Sequence, residues 1–167
     1  MPGVSRCRPR RASDSAHAKS HVRITVIAVG RVKETGLREV LDEYYLRARR
    51  HWGIDEVELR DAPAERVAAD MRKRLPPGAR VVALEVTGKA LSSEAFARFL
   101  ERAGSTGKGA IAFVIGGADG LPRAIVDAAD DKISLSAMTL PHRLARIMLA
   151  EQIYRATTIL RGEPYAR

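Results

Sequence analysis

The sequence is nearly without cysteine, has no long apolar run and lacks the loop motifs of the common nucleotide-binding folds. Each absence excludes a class. Cys7 stands alone, so neither an intramolecular disulfide nor a cysteine-rich zinc site is available, and a reducing, cytoplasmic setting is expected. No stretch of ~18 uninterrupted apolar residues reads as a transmembrane helix. No G-x-x-x-x-G-K-[ST] phosphate loop occurs. No metal site is expected.

What is present describes a globular protein. The 167 residues are 46% hydrophobic and 29% charged, enough for one domain with a real core and a tail. The net charge of +9 is unevenly spread. Residues 1–21 hold Arg6, Arg8, Arg10, Arg11 and Lys19 against Asp14, and show no apolar periodicity. They are expected to be a disordered basic extension preceding a domain over 22–167. An over-long start accounts for such a run more simply than an organelle transit peptide, and the apolar stretch of a secretory signal is missing. A basic balance suits a polyanionic partner, although charge alone does not decide it.

From Val22 onward strands and helices alternate. The β-branched run at 22–29 ends at Gly30. Leu37, Val40, Leu41, Tyr44, Tyr45 and Ala48 then recur at helical spacing. Further strands are predicted at 54–59, 80–86 and 110–115, and a short one starting at Lys132. Helices are predicted over 64–75, from Ser92 or Ser93 to 103, from about Pro122, and over 141–160. In the last helix the apolar residues occupy more than one face, as in a helix buried on two sides or packed on another subunit. Strands joined by helical crossovers imply an α/β fold, with a mostly parallel sheet flanked by helices and ligands bound beyond the strands' carboxyl ends.

The most apolar strand, 110–115, runs into Gly116-Gly117-Ala118-Asp119-Gly120. Glycines there allow a tight turn and close approach of a ligand, though an ordinary strand-to-helix turn has the same composition. The spacing is not G-x-G-x-x-G, and Asp130-Asp131 precede the next strand where a dinucleotide fold places its acid after it. A nicotinamide- or flavin-dependent oxidoreductase is therefore disfavoured. A small, uncharged loop follows at 135–140, and then a helix bearing His142, Arg143, Arg146, Glu151, Gln152, Tyr154 and Arg155. Free backbone groups in the loop suit an adenine edge, whereas arginine grips phosphate and tyrosine stacks on bases. Singly, each has a plain structural reading: a loop, a helix-terminal histidine, a Glu151–Arg155 surface pair.

The runs F-V-I-G-G-x-x-G-L, L-S-x-M-T-L-P-H and R-x-x-L-x-E-Q-x-Y-R-A-x-x-I-x-x-G-x-P-Y resemble the carboxyl-terminal signature of the RlmH family, in the SPOUT class of methyltransferases. The resemblance covers 22–167 and leaves 1–21 without a counterpart. It implies an α/β fold with a carboxyl-terminal trefoil knot, which periodicity could not reveal. It implies a homodimer that uses S-adenosylmethionine to methylate N3 of a pseudouridine in 23S rRNA of the assembled ribosome. The implied cofactor positions are Leu84, Gly116, Leu135, Ser136, Ala137, Met138, Thr139 and Leu140. The implied catalytic set is His142, Glu151, Arg155 and Tyr165, with Arg143, Arg146 and Arg167 on the RNA. One departure stands out: family members commonly end P-Y-H-R or P-Y-H-K, whereas this chain ends Pro164-Tyr165-Ala166-Arg167. If that histidine takes the N3 proton, another group must do so here, or the role is confined to RNA contact. A SPOUT enzyme for another RNA site and a non-catalytic ribosome-binding factor are the alternatives.

Overall fold

The computed structural model describes residues 22–106 and 109–166. The extension expected at 1–21 and the carboxyl-terminal Arg167 lie outside the described residues. Five strands and five helices alternate in the order β1 (Arg23–Val29), α1 (Thr35–Ala48), β2 (Gly53–Leu59), α2 (Ala64–Arg74), β3 (Arg80–Ala90), α3 (Ser93–Ser105), β4 (Ala110–Ile115), α4 (Arg123–Ala128), β5 (Asp131–Ser134), α5 (His142–Arg161). A 3-10 turn, Pro164–Ala166, follows. The strands form one parallel sheet in the order β2-β1-β4-β3-β5.

The two-residue period of β1 distributes its side chains to two cores. Ile24, Val26 and Ala28 meet Leu41 and Tyr45 of α1, Phe96 and Leu100 of α3, and Leu149 and Ile153 of α5. Ile27 and Val29 face the other way, toward Val67 and Met71 of α2 and Ile125 of α4. Central β4 is buried at every position, the signature of a parallel strand covered on both faces. Ser92 caps α3 by accepting from Ala95 N at 3.1 Å, a contact worth about 1 kcal/mol.

The third strand differs from its expected course. It continues past 86, and its register against β5 shifts: Leu84 pairs with Ile133, and so does Lys89 beyond the irregularity. At Gly88, a Cβ would stand 2.6 Å from the Ile133 carbonyl carbon and 2.7 Å from its nitrogen. Only glycine lets backbone pass backbone that closely. The chain at 85–90 thus wraps against β5, an arrangement consistent with the knot that the family resemblance implies.

Candidate active site

A cleft of about 200 Å³ opens beyond the ends of β4 and β5, beside the irregularity in β3, as the parallel-sheet rule leads one to expect. Leu84 to Val86 form one wall, the Gly116–Gly120 turn another, and the loop after β5 the third. The turn requires its glycines for its own closure. A Cβ on Gly116 would lie 2.1 Å from the Gly120 carbonyl carbon, and Gly120 adopts φ +78°. Gly117 faces Asp61, whose Oδ1 lies 2.9 Å from where a Cβ would stand.

Of the expected cofactor positions, Leu84, Gly116, Leu135, Ser136, Met138, Thr139 and Leu140 line this cleft. Ala137 is exposed and does not. Among the described residues, the backbone at 136–140 makes no hydrogen bond to other backbone. The loop is shaped instead by its serines: Ser134 Oγ donates to Ser136 O at 2.8 Å, and Met138 N donates to Ser136 Oγ at 3.0 Å. The remaining amides and carbonyls are free to pair with a ligand edge, and apolar Ile115, Leu121 and Met138, the last 76% exposed, supply contact surface. This combination of uncommitted backbone and apolar wall fits an adenosyl group.

His142 opens α5 at the rim of the cleft. Its Nε2 packs against the Gly30 turn, 3.2 Å from the position of a would-be Cβ. Burial, and then the charges of Arg143 and Arg146, hold the imidazole below its ordinary value, with Asp61 and Glu34 offsetting part of this. It is therefore neutral at neutral pH. The sequence marks Gly30 as a strand-end turn but places neither it nor Asp61 at this site, because both are brought here from the ends of other strands.

Glu151, Arg155 and Tyr165 come together in a second cluster. Arg155 Nε donates to Glu151 Oε1 at 2.8 Å, and Tyr165 Oη donates to the same oxygen at 3.2 Å. Gln152 donates to the other carboxylate oxygen at 2.7 Å and accepts from Ser93 Oγ at 2.7 Å. The Arg155 guanidinium lies 5.0 Å from the centre of the Tyr165 ring, which packs at 4.7 Å on Tyr154. Burial, then hydrogen bonding with Tyr44 and the Glu151 charge, raises the Tyr165 phenol above its usual range. The phenol is a hydrogen-bond donor here, not a ready base.

The expected set is thus divided. His142 and Glu151 are nine residues apart on one helix, a rise of about 13.5 Å. Within one chain they do not share a site. Arg143 stands in the first turn, half-buried and paired with Glu34. Arg146 corrects the expectation of RNA contact. Its side chain is fully enclosed, donates to Gly30 O at 3.1 Å and Glu58 Oε1 at 2.6 Å, and is bonded to Glu56. An arginine with no exposed surface and two carboxylate partners has nothing to offer a phosphate. Arg167 lies outside the described residues. Among those described, no group of three or more His, Cys, Asp or Glu is placed to hold a metal, and no helix is long and apolar enough to cross a membrane.

Residues 22–166 match the family model described as "Predicted SPOUT methyltransferase". The chain belongs to the SPOUT methyltransferase family. Within it, the chain is 57% identical over 145 residues to "Ribosomal RNA large subunit methyltransferase H" of Sorangium cellulosum, covering 87% of this chain and 99% of the relative. It is 41% identical over 159 residues to the protein of the same name from Acetivibrio thermocellus, covering 87% and 100%. Among solved structures, a probable methyltransferase from Bordetella pertussis Tohama I superposes with a TM-score of 0.56 at 14% identity, over 83% of this chain and 98% of that one. At that identity the likeness speaks for the SPOUT fold alone.

Proposed function

We propose that this protein is the large-subunit ribosomal RNA methyltransferase of the RlmH type, transferring a methyl group from S-adenosylmethionine to N3 of a pseudouridine in 23S rRNA of the assembled ribosome. The relatives' shared name supports the rRNA substrate. The observation that carries the chemistry is the cleft at the strand ends, where the backbone of 136–140 is uncommitted and the Gly116–Gly120 turn forms the facing wall. Bound there, the cofactor supplies an electrophilic methyl carbon, and its displacement needs no metal. The loop at 135–140 would hold the adenine edge and the Gly116 turn the remainder.

The chain's own residues must align the attacking nitrogen with that carbon at ~3–3.5 Å and stabilise the charge left when N3 loses its proton. Arg155 suits the stabilising role, since its guanidinium is oriented by Glu151 and Tyr165 yet still 27% exposed. His142, neutral at the cleft rim, can accept a proton. The separation of these groups within one chain is resolved if the protein acts as a homodimer, with the Arg155 cluster of one copy facing the cleft of the other. Leu144 and Met148, exposed one turn apart on α5, and Val40 on α1 provide an apolar face for such pairing. A cytoplasmic location follows from the substrate.

The deciding test is transfer of labelled methyl to intact ribosomes lacking the modification, with free rRNA and tRNA in parallel. Label recovered from 23S rRNA as N3-methylpseudouridine is the expected result and shows that Ala166 is tolerated in place of the family histidine. Cofactor binding without label in any RNA would leave a ribosome-binding factor instead.

A further inference from the structure

A second groove lies apart from the cleft. It lies between α3 and the amino ends of β3 and β5, with a volume of about 780 Å³. Its lining includes Lys89, Arg98, Arg102 and Lys132, all exposed. None of the four has an ion-pair partner among the described residues. The groove's two acids are already engaged. Asp131 is bound by Arg80 at 2.6 and 3.1 Å, and Asp130 accepts from Val81 N at 2.7 Å. Between the cations lies Phe99, half-buried, with the Arg80 guanidinium 5.9 Å from its ring centre.

Other exposed cations without ion-pair partners, Arg23, Arg50, Arg60 and Arg72 among them, lie apart, whereas these four share one groove. Arg98 and Arg102 are one helical turn apart on α3, so both project on the same side. Lys89 and Lys132 approach from the opposite wall, on the two strand segments that meet at Ile133. The groove holds Arg80, Lys89, Arg98, Arg102 and Lys132 against only Asp130 and Asp131, and such an excess of like charge costs free energy that a bound polyanion offsets. A groove with cations on both walls and an aromatic ring at its side fits a ribose-phosphate backbone.

We infer that this groove is a second RNA-binding site, which grips the phosphate backbone of the substrate RNA away from the target base. The inference rests on the functional reading above. The groove begins at Asp131, and the cleft at Ser134. Those are opposite ends of β5, on the order of 10 Å apart at strand rise. One RNA molecule can therefore occupy both. Contacts of this kind fix register without reading sequence, so their loss affects affinity and not chemistry.

The test is the double variant Arg98→Glu/Arg102→Glu, with Arg98→Gln/Arg102→Gln as a milder companion, each checked for an unchanged melting temperature. The readouts are kcat and KM for ribosomes, affinity for S-adenosylmethionine, and affinity for a labelled fragment of 23S rRNA across a salt series. Expected are a KM raised about tenfold, unchanged kcat and cofactor affinity, and a salt slope for RNA lowered by about 2. An unchanged KM and salt slope, with the unaltered protein active on ribosomes, would overturn the groove while leaving the functional reading intact. A raised KM with unchanged affinity for the RNA fragment would also overturn it, since the groove would then meet a ribosomal protein. Absence of transfer and of RNA binding by the unaltered protein would overturn both readings together.

Discussion

Arg146 and Arg155 stand nine residues apart on one helix, and both are paired with carboxylates, yet their settings are opposite. Arg146 is sealed inside, with partners on β2 and on the turn after β1. Arg155 has one partner, Glu151, a turn earlier on its own helix, and keeps part of its surface open. The first ties three segments of the scaffold together at the place where His142 enters the cleft. The second is held by groups that orient it without using up its charge. The same side chain is committed to structure where its partners are remote in sequence and enclosed, and is left available for the proposed chemistry where they are local and the charge remains reachable.

The largest expected effect comes from breaking the enclosed member of this pair. Arg146→Ala leaves Glu56 and Glu58 with the part-exposed Arg38 as their remaining shared cation and is expected to cost about 3 kcal/mol in urea unfolding. Arg146→Met, which fills the space but equally removes the charge, should cost less; equal losses would show that packing does not govern the site and the ion pairs do. The open member should behave in reverse. Arg155→Ala is expected to change stability by less than about 1 kcal/mol. It should lower methyl transfer on the order of 10²-fold or more, with cofactor affinity nearly intact. Loss of cofactor binding in that variant would sink the division of roles.

A smaller effect concerns pH. His142 is held below the ordinary imidazole value of 6.5, chiefly by burial and secondly by Arg143 and Arg146. Its folded value is therefore below its unfolded one, so the unfolded chain takes up the proton first as pH falls. The stability it contributes is complete above about pH 6.5 and declines on the acid side. A melting series between about pH 5 and 8 on the protein and on His142→Gln should show this loss in the former and a flatter profile in the latter. The smallest effect is at Tyr45, whose hydroxyl is buried beside Arg146 with no hydrogen-bond partner among the described residues. Tyr45→Phe is expected to leave stability unchanged or raise it by up to about 1 kcal/mol; a clear loss would mean that the hydroxyl belongs to the ionic network.

Much of the scaffold was legible because local signals agreed. The apolar run ending at Gly116, the Ser92 cap and the Pro122 helix start each have a local physical cause, and the structure follows them. The three loop-and-helix runs carried the family. What sequence did not yield was pairing between distant segments. Arg146 reads as a surface cation when charges are counted, yet it occupies the inner stripe with Leu149, Ala150 and Ile153 at helical spacing. Glu56 and Glu58 alternate on β2, a strand that must pack beside β1. A cation in an apolar stripe, together with carboxylates on a neighbouring strand, was the available signal for an internal ion pair. The split between His142 and the Glu151 cluster also follows from helix rise. The bend at 85–90 does not, since Gly88 gives no hint of which backbone it must pass.

That close passage at Gly88 carries a thermodynamic consequence. All three walls of the cleft meet around β5: Leu84 to Val86 precede the bend, the Gly116 turn ends the central strand, and the loop at 135–140 leaves β5 itself. A chain in which the four residues of β5 have not docked has its other strands but no cleft. Cofactor binding and completion of the fold are then one linked equilibrium, in which the cofactor adds stability as RT ln(1 + [L]/Kd) and the melting temperature rises with its concentration. With the cofactor in the proposed cleft, the concentration of methyl donor enters the folding equilibrium as well as the rate.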